Sequence, residues 1–465
     1  MQGKLSLVPV LCALAILASC SGGGSMPMSN ATKGTPSSQV SLTMGDTPPA
    51  GVAVLSFEIT VQSAALQPGS VALVSRPMEI ELTKLQTAHT LLGSLSVPAG
   101  TYSGVALTFG NAQLTIVNNS GSAIGSCGIG QTCELHPALS QTNVSFTGAP
   151  FPLTLAADSP LGLLVDFNIQ QSIQNDLSIN PVITVSRLAK RPGGDMDDLD
   201  DIVGQVTAVD ASKQQFTLQV GGVQGHSQVI QVNSSTRFED FAEQGMASGF
   251  ASIAVGQVLH VDALLMSDGT VVAKEVGLME HDRIGALDGV VVSVDSATQF
   301  KMAVLDDESD DGGSMPGKVA TVTVQSGATF SVDTDGIAIP SGLTFGGAAD
   351  LMVGQGVAVH PVTVSMGAVT TDRVRLRFSR VSGRVAAISG SNFTLDNLPS
   401  LFTTASPAIT TLDVRTSAQT IFIFDDQIGS LSGLAAGNNV RVAGWLFKTS
   451  GTPALVAVKV RRSDN

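Results

Sequence analysis

Apolar and polar residues alternate with a period of two along most of the chain beyond residue 37. Val40, Leu42 and Met44 alternate with polar neighbours, and Phe57, Ile59 and Val61 are separated by Glu58 and Thr60. Ile80 and Leu82 sit among Glu79, Glu81 and Thr83. Leu114 and Ile116 alternate with Gln113 and Thr115, and Val165, Phe167 and Ile169 repeat the rhythm. That period predicts strands with one buried and one wet face. Turn chemistry separates them at Pro48-Pro49, Pro68-Gly69, Pro98-Ala99-Gly100 and Asn118-Asn119-Ser120-Gly121. Residues 38–190 therefore read as a two-sheet β-sandwich. Arg191-Pro192-Gly193-Gly194 and the acidic run to Asp201 read as a linker over 191–201, because Pro, Gly and like charges oppose packing.

From residue 202 one pattern returns three times, over 202–280, 285–378 and 380–462. The copies open on Gly204-Gln205-Val206, Gly289-Val290-Val291 and Gly383-Arg384-Val385. Each continues into an aromatic strand at Phe216, Phe300 and Phe393. Thr236 with Phe238, Thr329 with Phe330, and Thr420 with Phe422 come next. Glycine-centred turns follow at Gly256, Gly354 and Gly437, and basic-flecked strands at Lys274, Arg373 and Lys459 close each copy. A unit of this length can own a core, so the expectation is three small OB-like β-barrels in a row. The predicted fold class is all-β: an N-terminal β-sandwich followed by three small OB-like β-barrel repeats.

The N-terminus follows another pattern. Lys4 precedes an apolar run, Leu5 to Leu17, that is too short to span a bilayer. The run ends in Leu17-Ala18-Ser19-Cys20 and then Ser/Gly-rich chain, which resembles the lipobox of bacterial lipoproteins. The resemblance implies a signal peptide over 1–19, acylation of Cys20 with palmitate among the chains, and a flexible tether over 20–37. It also implies anchoring at the cell outer membrane, since Ser21 rather than Asp follows the cysteine. Facing, periplasmic or surface, stays open. Several acyl chains on one cysteine would hold the protein stably.

Pro98-Ala99-Gly100-Thr101-Tyr102 has the look of a strand entry seen in extracytoplasmic sandwiches. With Leu42 to Pro48, Leu164 to Phe167, Ser172-Ile173 and Asn180 to Ile183, it resembles domain of unknown function family 4382. The three C-terminal copies resemble domain of unknown function family 5666. Neither resemblance implies a reaction.

Composition narrows the chemistry. The chain of 465 residues is 13% charged and 4% aromatic, with 49 Gly and a net charge of −14, which suits many β-turns and a soluble surface. Loss of residues 1–19, whose one charged side chain is Lys4, takes −14 to −15. Such acidity disfavours nucleic acid as a partner. Of four cysteines, Cys127 and Cys133 remain once Cys12 and Cys20 are assigned, and an oxidising envelope favours a disulfide between them. His136 nearby does not complete a zinc set. Asp306, Asp307, Asp310 and Asp311 offer oxygen to calcium but lack EF-hand spacing; a solvated hairpin is the other reading. The same two readings apply to Asp195 to Asp201. No metal or other cofactor is expected. The histidines are widely spaced, and neither HExxH, GxSxG nor a phosphate loop occurs, so no catalytic residue is assigned. The expectation is a non-enzymatic, lipid-anchored envelope protein whose partners are the membrane and an envelope protein or glycan. The alternative is a small-ligand or polysaccharide-binding lipoprotein acting through a barrel face.

Overall fold

The computed structural model describes residues 36–462, apart from 48–52, 75, 119–120, 221–225, 240, 242–245, 280–285, 308–314, 333, 335–336, 366 and 425–426. The expected signal peptide, Cys20, nearly all of the tether, His281, Asp310 and Asp311 lie outside the described residues.

Alternation in the first domain becomes two packed sheets. One has Ser37–Thr47 at its centre, parallel to Leu161–Asn168 and antiparallel to Thr90–Pro98, with Ile183–Arg187 at the edge. The other pairs the long strands Ala53–Gln67 and Gly104–Val117, flanked by Val71–Val74, Met78–Glu81, Thr132–Leu135 and Asn143–Phe146. Val40, Leu42, Met44, Phe57, Ile59, Val61, Leu114, Ile116, Val165 and Phe167 are all buried between them. Phe167 meets Phe57 and Phe109 edge-on at 5.7 Å, an arrangement favoured by ring quadrupoles. Tyr102 is buried and donates its hydroxyl to the Pro98 carbonyl at 2.8 Å, tying the Pro-Ala-Gly turn to its own strand. Leu82 and Ile169 are buried as expected but each opens a short helical turn, Leu82–Gln86 and Ile169–Ser172, rather than extending a strand.

Each of the three copies closes into a five-stranded barrel. The strands run in the spatial order first, second, third, fifth, fourth, with third and fifth parallel, as in an OB-type barrel. The first barrel is built from Asp195–Asp210, Gln215–Val220, His226–Gln231, Val258–Met266 and Val271–Leu278. The second uses Leu287–Ser296, Gln299–Asp307, Val319–Val332, Gly356–Ser365 and Ala368–Arg377. The third uses Ser379–Ser389, Asn392–Asp396, Leu412–Arg415, Asn439–Phe447 and Ala454–Arg462. Phe216, Phe300 and Phe393 fill equivalent core positions.

The glycine turns repeat bond for bond. Gly256, Gly354 and Gly437 have φ of 96°, 87° and 93°, values that suit glycine. Their amides donate to Val206, Val291 and Val385, whose own amides donate to the carbonyls of Gln257, Gln355 and Asn438. The side-chain oxygens of Gln257, Gln355 and Asn438 in turn accept from Ala254, Met352 and Ala435. Thr236 and Thr420 also match, donating to the carbonyls of Ala273 and Ala457. Thr329 does not: Phe330 pairs with Val374 as Phe238 does with Val276, so Ala328 occupies the corresponding place.

One boundary differs from the sequence expectation. The acidic run is not a linker: Asp195–Asp210 is a single strand that pairs with Val258–Met266. Met196, Leu199 and Ile202 are buried in the barrel core, and bulges between Asp195 and Asp197 and between Leu199 and Ile202 set where the carboxylates point. Like charges could be packed because basic side chains from elsewhere meet them.

Candidate functional site

The sandwich and all three barrels line one cavity of about 500 Å³, within the range of small-molecule sites. The sandwich supplies Glu79, Glu81 and Lys84 from the end of Met78–Glu81 and the following turn. The first barrel adds Asp198, Asp200, Asp262 and Lys274, the second Asp288, Asp306 and Arg377, and the third Arg380, Lys459 and the apolar Leu401–Phe402 corner. Eight carboxylates face six Lys and Arg side chains across it.

The acidic strand forms its floor. Asp198 accepts from Lys274 at 2.6 Å and from Lys459, so one carboxylate holds ammonium groups from the first and third barrels. Asp200 lies 3.5 Å from Arg380. Behind it, Asp197 is fully buried and takes the Nδ1 hydrogen of His89 at 2.5 Å. Arg461 approaches His89 Nε2 at 2.9 Å, and a guanidinium has no acceptor, so Nε2 accepts and Nδ1 carries the hydrogen. The backbone repeats this join: His89 N donates to the Asp198 carbonyl and Asp200 N to the His89 carbonyl.

Residues 37–181 match the family model "Domain of unknown function (DUF4382)", and residues 203–277 match "Domain of unknown function (DUF5666)". The first match lies within the sandwich. The second match covers the first of the three barrels. No curated protein matches the chain. A Streptococcus pneumoniae multidomain protein with nucleic acid binding domains is 12% identical, over 55% of this chain and 72% of its own, with a TM-score of 0.12. Drosophila Unr CSD456 is 9% identical, over 57% of this chain and 97% of its own, again with a TM-score of 0.12. Likeness at that level carries no functional argument.

Around the first barrel the carboxylates divide by environment. Burial alone would raise Asp198, but Lys459 and Lys274 outweigh it and hold the carboxyl well below its usual range. Burial also opposes ionisation of Asp197, and the imidazole of His89, the Thr43 hydroxyl and Arg191 reverse the balance. Asp200 goes the other way: burial and then Asp262 push it up to about 6, with Lys459 and Lys274 holding it back. Lys274 is raised despite burial by Asp198, Asp200 and Asp262. In the sandwich, burial followed by Glu79, Glu81 and Asp306 pushes Glu58 up to about 7.

The residues singled out from sequence fall in different places. Cys127 and Cys133 form a disulfide, with the Cys127 side chain in the sandwich core. Asp306 faces the cavity and pairs with Lys84 at 2.7 Å, and Asp307 follows it in the strand. Among the described residues no group of three or more His, Cys, Asp and Glu is arranged to hold a metal ion. His89, Lys274, Lys459 and Arg461 were not assigned a role from sequence. The basic-flecked closing strands were visible there, but not which cation would reach which acid.

Proposed function

We propose that this is a lipid-anchored cell-envelope protein, held at the outer membrane through Cys20, whose four β modules act together as a non-catalytic binding unit. The observation that carries the reading is the cavity of about 500 Å³ with walls from every module. Ordinary scaffolding would not require four domains to converge on one charged hollow. A non-enzymatic role is supported by the pairing of the charged side chains: Asp198, Asp306 and His89 are engaged in holding modules together. The bound species would be a small polar molecule or the end of a glycan, taken between modules rather than on a single barrel face.

Two measurements test it. Cys20→Ser should release the protein from envelope fractions and abolish palmitate incorporation; retention with label refutes the anchor. The chain from residue 21 onward, screened against glycans and small polar metabolites by thermal shift, should find ligands whose effect is lost in Arg377→Ala. Ligands that are unaffected by Arg377→Ala would place binding outside the cavity.

A further inference from the structure

The seam between the sandwich and the second barrel brings carboxylates together from both sides. On the sandwich, Glu58 in strand Ala53–Gln67 lies opposite Glu81 in one neighbouring strand and opposite Gln113 in the other. Glu79 shares the strand of Glu81. On the barrel, Asp306 is the last residue but one of strand Gln299–Asp307. The two modules are joined by an apolar patch in which Ala53, Leu55 and Val117 meet Ala303. Three polar ties complete the seam: Lys84 to Asp306, the Thr115 hydroxyl to the Gly317 carbonyl, and Val319 N to Glu134 Oε1 at 2.7 Å.

The four carboxylates are not equally provided for. Glu81 accepts from Ser56 Oγ, Phe57 N, Thr83 N and Thr83 Oγ1. Asp306 has the Lys84 ammonium. Glu58 is half-buried and receives the Gln113 amide at 3.4 Å, a long contact. Of the nearby lysines among the described residues, Lys84 is already on Asp306, and Lys318, which follows Gly317, is engaged in its own interactions.

We propose that this seam is a proton-operated latch: with Glu58 protonated the second barrel packs tightly on the sandwich, and ionisation of Glu58 loosens that packing. The position of Glu58, up to about 7 from an ordinary 4.5, agrees with the geometry; burial is the first cause, then Glu79, Glu81 and Asp306. The sign follows from linkage. An acid raised in the closed form binds a proton there that it releases when the seam opens. The stabilisation is complete below about pH 4.5 and is lost as pH rises through about 7. Asp200, in the first barrel, shifts in the same direction, so the test must separate the two.

Hydrogen exchange on the chain from residue 21 onward, corrected for intrinsic rates, reads the seam at pH 5.5 and pH 8. Each pKa unit corresponds to a tenfold change at most. Solvent screening at a half-buried group reduces this, so protection of strand Gln299–Asp307 should fall about tenfold in the wild type. Glu58→Gln should keep the pH 5.5 level of protection at pH 8. Asp200→Asn should leave the seam response unchanged. No pH response in the wild type, the same response in Glu58→Gln, or loss of the response in Asp200→Asn would each overturn the latch. If Glu58→Gln does not fold, Lys84→Met with Asp306→Asn removes one repelling charge with its partner. That variant should shrink the response, and an undiminished response overturns the proposal.

Discussion

Asp198→Ala is the substitution from which the assembly should suffer most. The carboxylate is the common acceptor of Lys274 and Lys459, whose side chains are 40% and 11% exposed. Without it Lys274 can turn to water, whereas Lys459 is left buried with only Asp200, which burial and Asp262 hold back from ionising, as countercharge. Breaking a buried pair on one side costs about 3–5 kcal/mol. Since one of the two cations can escape, the expectation is about 3 kcal/mol, at the lower end of that range. Lys459→Met alone leaves Asp198 with Lys274 and should cost about 1–2 kcal/mol. The double variant removes both ends of the buried contact, so its loss should be smaller than the sum by about 2 kcal/mol. The assay is a double-mutant cycle by urea unfolding, read through Trp445, the one tryptophan in the chain. Because Asp198 is held below its usual pKa, its contribution is present above about pH 4 and is lost only as the solution becomes more acid. A single variant within 0.5 kcal/mol of wild type, or strict additivity, would refute the reasoning.

Other substitutions probe other joints. Trp445 is fully buried in the second barrel's core although it belongs to the third, and its Nε1 finds no hydrogen-bond partner among the described residues. Trp445→Ala should therefore cost about 3–5 kcal/mol in thermal or urea unfolding, and Trp445→Phe much less. A Cβ on Gly289 would overlap the Ala303 carbonyl, while at Gly100 it would meet nothing within 4 Å. Gly289→Ala should lower stability by about 1–3 kcal/mol and Gly100→Ala should not. Replacing Cys127 and Cys133 by Ser opens a loop with a sequence separation of 6. The loss should be about 2 kcal/mol, read as a lowered Tm under non-reducing conditions.

The strands were legible because burial on one face writes a period of two into the chain. Val40, Leu42 and Met44, or Phe57, Ile59 and Val61, need no partner in order to be recognised. The three barrels were legible for a related reason: Phe216, Phe300 and Phe393, with the turns at Gly256, Gly354 and Gly437, recur in fixed order. The acidic strand was not legible. Read locally, Asp195 to Asp201 resembles a solvated run, since nothing nearby in sequence compensates its charge. Its partners come from far away, His89 from 108 positions upstream of Asp197 and Lys459 from 261 positions downstream of Asp198. The cavity was hidden for the same reason, being a property of how four modules meet rather than of any one of them.

Two kinds of seam hold the molecule, and they should differ in what they specify. Between the second and third barrels the seam is largely apolar: Trp445 lies 4.9 Å from Phe378, centroid to centroid, and Met352 enters the third barrel's core. Where the first barrel meets the third the contact is ionic, Asp198 to Lys459, and where the sandwich meets both, a neutral His89 bridges Asp197 and Arg461 beside the apolar Leu91. Apolar burial is non-directional, so it tolerates small displacements, whereas an ammonium–carboxylate contact survives at few relative positions. The ionic seam should therefore fix placement more than it supplies stability. Replacing Asp198 by Leu together with Lys459 and Lys274 by Met tests this. Unfolding should stay within about 1 kcal/mol of wild type, since buried ion pairs exchanged for apolar groups are often neutral. Distances between spin labels on the first and third barrels should broaden in that triple variant. A triple variant with unbroadened distances would show that apolar packing alone sets the geometry, and the charged floor of the cavity would then need another explanation.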